Sequence, residues 1–138
     1  MNKLLLILLL LFPSLPIADN ITRNPNNMML ITASSNNYEF VAMIDTGSST
    51  VALNKSTIAN IPHTFKQLVN VILANGQTRT YTSVTIPSIT ILECTLLNIE
   101  VVVFPNDDHN NIIGLNVLEK LMPLTFTINQ LTGSCINS

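Results

Sequence analysis

The 138 residues carry a formal net charge of −2, with 10% charged and 47% hydrophobic side chains. That length buries one good core and is too short for two. Arg23, Lys55, Lys66, Arg79 and Lys120 are scattered rather than patched, which argues against a nucleic-acid partner. The two histidines and two cysteines stand at no metal-ligand spacing, so neither a metal nor any other cofactor is implied.

The chain opens with Lys3, the apolar run Leu4 to Phe12, and Pro13-Ser14-Leu15-Pro16-Ile17-Ala18. A positive start, a short apolar stretch and a small residue at a cut site form the layout of a secretory signal peptide over residues 1–18. Export to a periplasm, a cell envelope or the outside is therefore expected. Pro16 fits the small-x-small cleavage rule poorly, so an uncleaved amino-terminal anchor is the alternative, and membrane contact is expected only in that case. Removing residues 1–18 would take away Lys3 alone among the charges.

Residues 19–27 are Asn-rich and contain Pro25, which reads as a flexible linker before a domain at 28–138. Met28 to Ala33 and Tyr38 to Ile44 alternate as strands around a Ser-Ser-Asn-Asn turn, and Val51 to Leu53 resumes the sheet. Ser56 to Pro62 is ambiguous. Leu68 to Leu73 and Thr78 to Val84 flank Asn75-Gly76, the strongest short hairpin signal in the chain. Ile86 to Leu92 and Leu97 to Phe104 give another strand pair, followed by a turn at 105–108. Asn111 to Gly114 leads into one helix, Leu115 to Leu121, which Pro123 stops before a last strand at 124–128. The expected class is all-β with one short helix.

Cys94 and Cys135 in an exported chain suit a disulfide, and two buried thiols suit the same composition. Asn20-Ile21-Thr22 and Asn54-Lys55-Ser56 are glycosylation sequons wherever the host uses them.

The chemistry concentrates at Asp45-Thr46-Gly47-Ser48, directly after the apolar run Phe40 to Ile44. A carboxylate at the end of a buried strand must be compensated. Thr46 and Ser48 offer hydroxyl donors, and Gly47 permits a tight turn that brings amides close. Such a carboxylate is placed to activate water. By itself the segment reads equally as an ordinary turn, and Ile112-Ile113-Gly114 as a buried strand ending before a helix.

Together, and with an Asn-Gly hairpin between them, the two segments resemble the retropepsin-like aspartic proteases, the clan of the retroviral proteases and of single-domain exported bacterial relatives. The resemblance covers roughly residues 28–130. It implies a closed β barrel or sandwich with a flap hairpin and one short carboxy-terminal helix. It further implies an aspartic endopeptidase whose catalytic group is Asp45, acting on an extended peptide or protein. Only one Asp-Thr-Gly is present, since Asp19 and Asp107-Asp108 lack that setting, so the second carboxylate would come from another copy in a homodimer. The resemblance gives Thr46 the task of tying two such loops together, and Gly47 that of admitting backbone amides. It lets Ser48 bond the outer oxygen of Asp45, makes Asn75 and Gly76 the flap, and puts Ile112 in the substrate pockets. Two other readings stand beside it: a silent peptide-binding or dimerisation module of the cell envelope with the same fold, and an unrelated β domain whose Asp-Thr-Gly is only a turn.

Overall fold

The structure, a computed structural model, describes residues 16–135. The first fifteen residues of the expected signal segment lie outside this range, as do 136–138.

Among the described residues short branched and aromatic runs give eleven strands: β1 (Ile17–Asn20), β2 (Thr22–Arg23), β3 (Met29–Ser35), β4 (Tyr38–Ile44), β5 (Val51–Leu53), β6 (Thr64–Ile72), β7 (Thr78–Ile91), β8 (Cys94–Val103), β9 (Ile112–Ile113), β10 (Thr125–Phe126) and β11 (Gln130–Gly133). Among the described residues two helices interrupt them, α1 (Lys55–Ala59) and α2 (Leu115–Leu118), the second running on as a 3-10 turn over Glu119–Leu121. The ambiguous stretch after Leu53 is α1, nucleated by Asn54, whose side chain accepts from the Thr57 N–H at 3.0 Å.

The larger sheet has the order β2-β3-β4-β9-β5-β8-β7-β6, and a further β3–β7 pairing at Ser34 and Thr90 closes it on itself. The result is the expected all-β barrel with one principal helix. Inside it Ile31, Leu53, Ile86, Ile89, Val101, Ile113 and Leu118 are almost wholly buried. Closure leaves the far ends of β6 and β7 projecting as a free hairpin.

Three features differ from the sequence expectation. Residues 19–27 are no flexible linker: β1 pairs with β11, Ile21 is 6% exposed in the core, and β2 pairs with β3. The Asn-rich part is a turn, with Asn24 Oδ1 accepting from the N–H of Asn26 and of Met28, both at 3.0 Å. Second, the two strands expected at Thr78 to Val84 and Ile86 to Leu92 are one, β7, which continues through Thr85; it accommodates Pro87 because that residue is exposed and falls in a gap of the β7–β8 ladder between Ile86 and Ser88. Third, β7 and β8 join through Leu92 and Glu93, both with positive φ (52° and 59°), a tight turn made without glycine. Leu92 accepts that backbone while its side chain is 1% exposed in the core.

Cys94 and Cys135 are joined in a disulfide, which pins the chain just beyond β11 to the start of β8.

Candidate active site

β4 delivers Asp45 to the open end of the barrel. Its neighbour β9 pairs parallel with β4 (Met43 with Ile112, Ile44 with Ile113) and antiparallel with β5 (Ala52 with Ile112). The short β9 thus fills the gap between the two strands that flank the Asp45 loop. The loop is tied on both sides: Asp45 N–H donates to Ile113 O at 3.1 Å, and Ser48 N–H to Asp45 O at 3.2 Å. The carboxylate oxygen Oδ1 of Asp45 accepts from the Gly47 N–H at 2.8 Å. A Cβ on Gly47 would sit 3.1 Å from that oxygen, so glycine keeps the approach open.

Ser48 departs from the role the resemblance gave it. Its hydroxyl donates to Thr50 O at 2.8 Å and so braces the loop instead of bonding Asp45. Thr46 stands exposed at the tip.

The helix start completes the loop. Leu115 N–H donates to Ser48 O at 2.8 Å and Asn116 N–H to Ser49 O at 3.0 Å. Gly114 lies so close to the loop that an added Cβ would come within 2.5 Å of Thr50 O. Its side-chain-free backbone is what lets helix and loop touch. Asn116 then bonds across, accepting from Val51 N–H at 2.9 Å and donating to Glu100 O at 3.0 Å.

A cleft of about 980 Å³ opens above the loop. Asp45, Gly47, Ser48, Asn75 and Ile112 all line it, under the projecting β6–β7 hairpin. The hairpin tip is closed by Leu73 N–H to Gln77 O and Gly76 N–H to Leu73 O, both at 2.8 Å, with Gly76 at φ 82°. Of the other expected site residues, Thr46, Gly76, Ile113 and Gly114 are not among the lining, and Ile113 is fully buried in the core. Their positions in the loop, hairpin tip and packing behind the loop are those of supports.

Sequence reasoning passed over Glu100, Phe104 and His109, which also line the cleft. Glu100, Val102 and Phe104 share one face of β8 and its continuation, and that period of two was the available signal. Phe104 meets Tyr81 edge-on at 5.7 Å and His109 at 4.6 Å between ring centroids, so Tyr81 backs the Phe104 and His109 rings that line the cleft.

The Lys66 ammonium, 2.8 Å from Glu100 Oε2, and then the Ser83 hydroxyl, 2.7 Å from Oε1, lower the Glu100 pKa against an opposing effect of burial. A carboxyl held below its ordinary pKa stabilises the fold above that value and ceases to do so as pH falls through the lowered one. Glu100→Gln is therefore expected to cost up to about 1 kcal/mol at neutral pH, since the pair is half exposed. The difference from wild type should vanish in acid, as denaturation midpoints measured across pH will check.

The bonding role of Asn111 was also missed, because the sequence shows it only as the first residue of the segment leading into the helix. It is 7% exposed and fully bonded: Nδ2 donates to Val41 O at 3.1 Å and Thr57 Oγ1 at 3.0 Å, and Oδ1 accepts from Asn54 N–H at 2.9 Å. It joins β4, α1 and the strand that supports Asp45. Asn111→Ala leaves those groups without a partner and is expected to cost about 3 kcal/mol, read from urea unfolding.

Among the described residues no group of three His, Cys, Asp or Glu side chains could hold a metal ion.

A closed barrel, an Asp-Thr-Gly loop supported by an apolar-apolar-Gly strand, and a hairpin over the intervening cleft define a retropepsin-like aspartic protease. The model of the gag-polyprotein putative aspartyl protease family matches residues 31–120, and the chain belongs to that family. Among solved structures it is similar to a retropepsin-like aspartic protease from Rickettsia conorii, with a TM-score of 0.62. That likeness covers 88% of this chain and 94% of the other at 22% identity. A sequence search of curated proteins finds no match.

Proposed function

We propose that the chain is an aspartic endopeptidase that hydrolyses peptide bonds as a homodimer, with Asp45 of each copy forming one catalytic pair. The observation that carries this reading is the placement of Asp45. Its carboxylate is fixed by the Gly47 amide at 2.8 Å and lines a large cleft beneath a hairpin. The family to which the chain belongs supports the same chemistry.

Two carboxylates close together cannot both ionise, so the pair holds one proton between them. The ionised Asp45 takes a proton from a bound water as its oxygen attacks the scissile carbonyl carbon. The protonated Asp45 of the other copy gives its proton to the carbonyl oxygen. As the tetrahedral diol collapses, one hydroxyl returns its proton to the Asp45 that had given one, the carbonyl re-forms and the C–N bond breaks, and the amine leaves with the proton first taken from water. Thr46, exposed at the loop tip, would bond its counterpart across the pair.

An extended peptide fits the cleft. The inner edge of the hairpin offers backbone groups, while Ile112, Val71 and Phe104 offer apolar contact. Closing the hairpin expels water and strengthens the electrostatics around the pair. The Cys94–Cys135 disulfide fits work in an oxidising compartment outside the cytoplasm.

Digestion of a mixed peptide library by the purified protein, from acid to neutral pH, tests the reading. Cleavage at defined bonds is expected, blocked by a peptide carrying a non-hydrolysable hydroxyl in place of the scissile carbonyl. Intact peptides at every pH, with the protein dimeric and folded, would favour the silent binding module.

A further inference from the structure

The strand registers lay out the cleft floor in rows. Met43 pairs with Ile112, Ile112 with Ala52, and Ala52 with Val102. Two residues along each of these strands stand Asp45, Gly114, Thr50 and Glu100, the next row on the same face. The contact between Gly114 and Thr50 agrees, since a Cβ on Gly114 would lie 2.5 Å from Thr50 O. Asp45 and Glu100 are thus the two ends of one row.

Neighbouring strands lie about 4.8 Å apart, so three spacings separate the two residues by about 14 Å. A peptide extended along the row rises about 3.3 Å per residue and covers that distance in about four residues.

The charge along this path has one sign. Asp45 and Glu100 both line the cleft, and among the described residues no lysine or arginine does. His109, the other titratable group of the lining, stacks on Phe104, four residues and about 13 Å along the strand direction from Glu100.

Glu100 is also held in place. Lys66 Nζ donates to Oε2 at 2.8 Å, the Ser83 hydroxyl to Oε1 at 2.7 Å, and Gln67 Nε2 to Oε1 at 3.5 Å. Lys66 is the extra residue of the β6 bulge between Phe65 and Gln67. Its side chain is 45% exposed and does not line the cleft, so it reaches the carboxylate from the solvent side. The cleft meets the negative end of the pair. Oε2 accepts one donor where a carboxylate oxygen takes two, which leaves a place for a second cation.

We propose that Glu100 is a specificity-determining residue that selects a lysine or arginine side chain about four residues from the scissile bond. Lys66 moderates the preference by holding part of the carboxylate's charge. In a cleft shared by two copies the preference appears on both sides of the bond. The scissile bond and the two copies rest on the endopeptidase reading; the charge preference rests on the lining of the cleft.

Fluorescent ten-residue peptides test the proposal, each uncharged except for one Lys or Glu, or carrying Gln in its place, at every position in turn. Binding is read by anisotropy with the full chain carrying Asp45→Asn, where no cleavage intervenes, and cleavage is read with wild type. At one position, or at two placed symmetrically, Lys should bind at least about fivefold tighter than Glu, and 1 M salt should shrink the difference. Added Glu100→Gln should abolish the preference, and added Lys66→Ala should widen it by freeing the carboxylate. An ion pair that only braced the hairpin would move both variants the same way. Equal binding of Lys and Glu peptides at all positions, a preference that survives Glu100→Gln, or one that Lys66→Ala abolishes would each overturn it. A lysine preference in binding with no cleavage by wild type upholds the subsite and removes the peptidase reading. Cleavage without any charge preference does the reverse.

Discussion

Asp45→Asn is expected to lower peptide cleavage by at least about 1000-fold while leaving the thermal midpoint close to that of wild type. The amide has nearly the shape of the carboxylate, and its oxygen still accepts the Gly47 N–H that now meets Oδ1 at 2.8 Å. The loop is held chiefly by backbone bonds, from Asp45 to Ile113, from Leu115 to Ser48 and from Asn116 to Ser49, and none of them involves the substituted group. Asparagine neither takes a proton from water nor passes one to the carbonyl oxygen, so both halves of the acid–base pair fail together. Loss of activity with folding intact separates a catalytic Asp45 from a structural one. Steady-state cleavage of one defined peptide, with circular dichroism melting of the same samples, provides both readings.

Gly114→Ala should act in the opposite manner, on the fold first and on activity through it. Gly114 has φ −101°, which any residue adopts, so conformational freedom is not the reason for glycine here. Space is. An added Cβ would lie 2.5 Å from Thr50 O, 2.6 Å from Thr50 C and 2.8 Å from Thr50 N, all backbone atoms that no rotamer change relieves. Either β9 and α2 or the loop carrying Asp45 must shift, in a region where Val51, Ile113, Val117 and Leu118 are fully buried. The expected cost is about 3 kcal/mol or more, a fall in melting temperature on the order of 10 °C. The displaced loop would lose activity even where the protein still folds. Melting and cleavage measured together should therefore decline together, unlike Asp45→Asn.

Much of this was legible in the chain because the features that position the site are local. An apolar run ending in Asp-Thr-Gly, an Asn-Gly turn between alternating strands, and Ile-Ile-Gly before the one helix each carry their signal within a few residues. What escaped depends on partners distant in sequence. The strand at Ile17–Asn20 exists only because Gln130–Gly133 lies beside it, and the Asn-rich composition after it suggested a linker. The turn at Leu92-Glu93 lacks the glycine that marks such turns, and burial of Leu92 holds its unusual backbone. Asn111 showed only as the start of the segment leading into the helix; its partners Val41, Asn54 and Thr57 lie 54 to 70 residues away. Glu100 drew no notice because its companions Lys66 and Ser83 come from two other strands. Ser48 was given to Asp45 on resemblance, but the nearer Thr50 carbonyl holds its hydroxyl at 2.8 Å.

The two-copy site is tested most directly by mixing chains. A fixed amount of wild type is equilibrated with increasing Asp45→Asn chain, and the cleavage rate is followed. If each catalytic pair takes one Asp45 from each copy, mixed dimers are inactive, and tenfold excess variant should reduce the rate to about one tenth. An unchanged rate would mean that a single chain carries a complete site, and would contradict the pairing of Asp45 with its own counterpart.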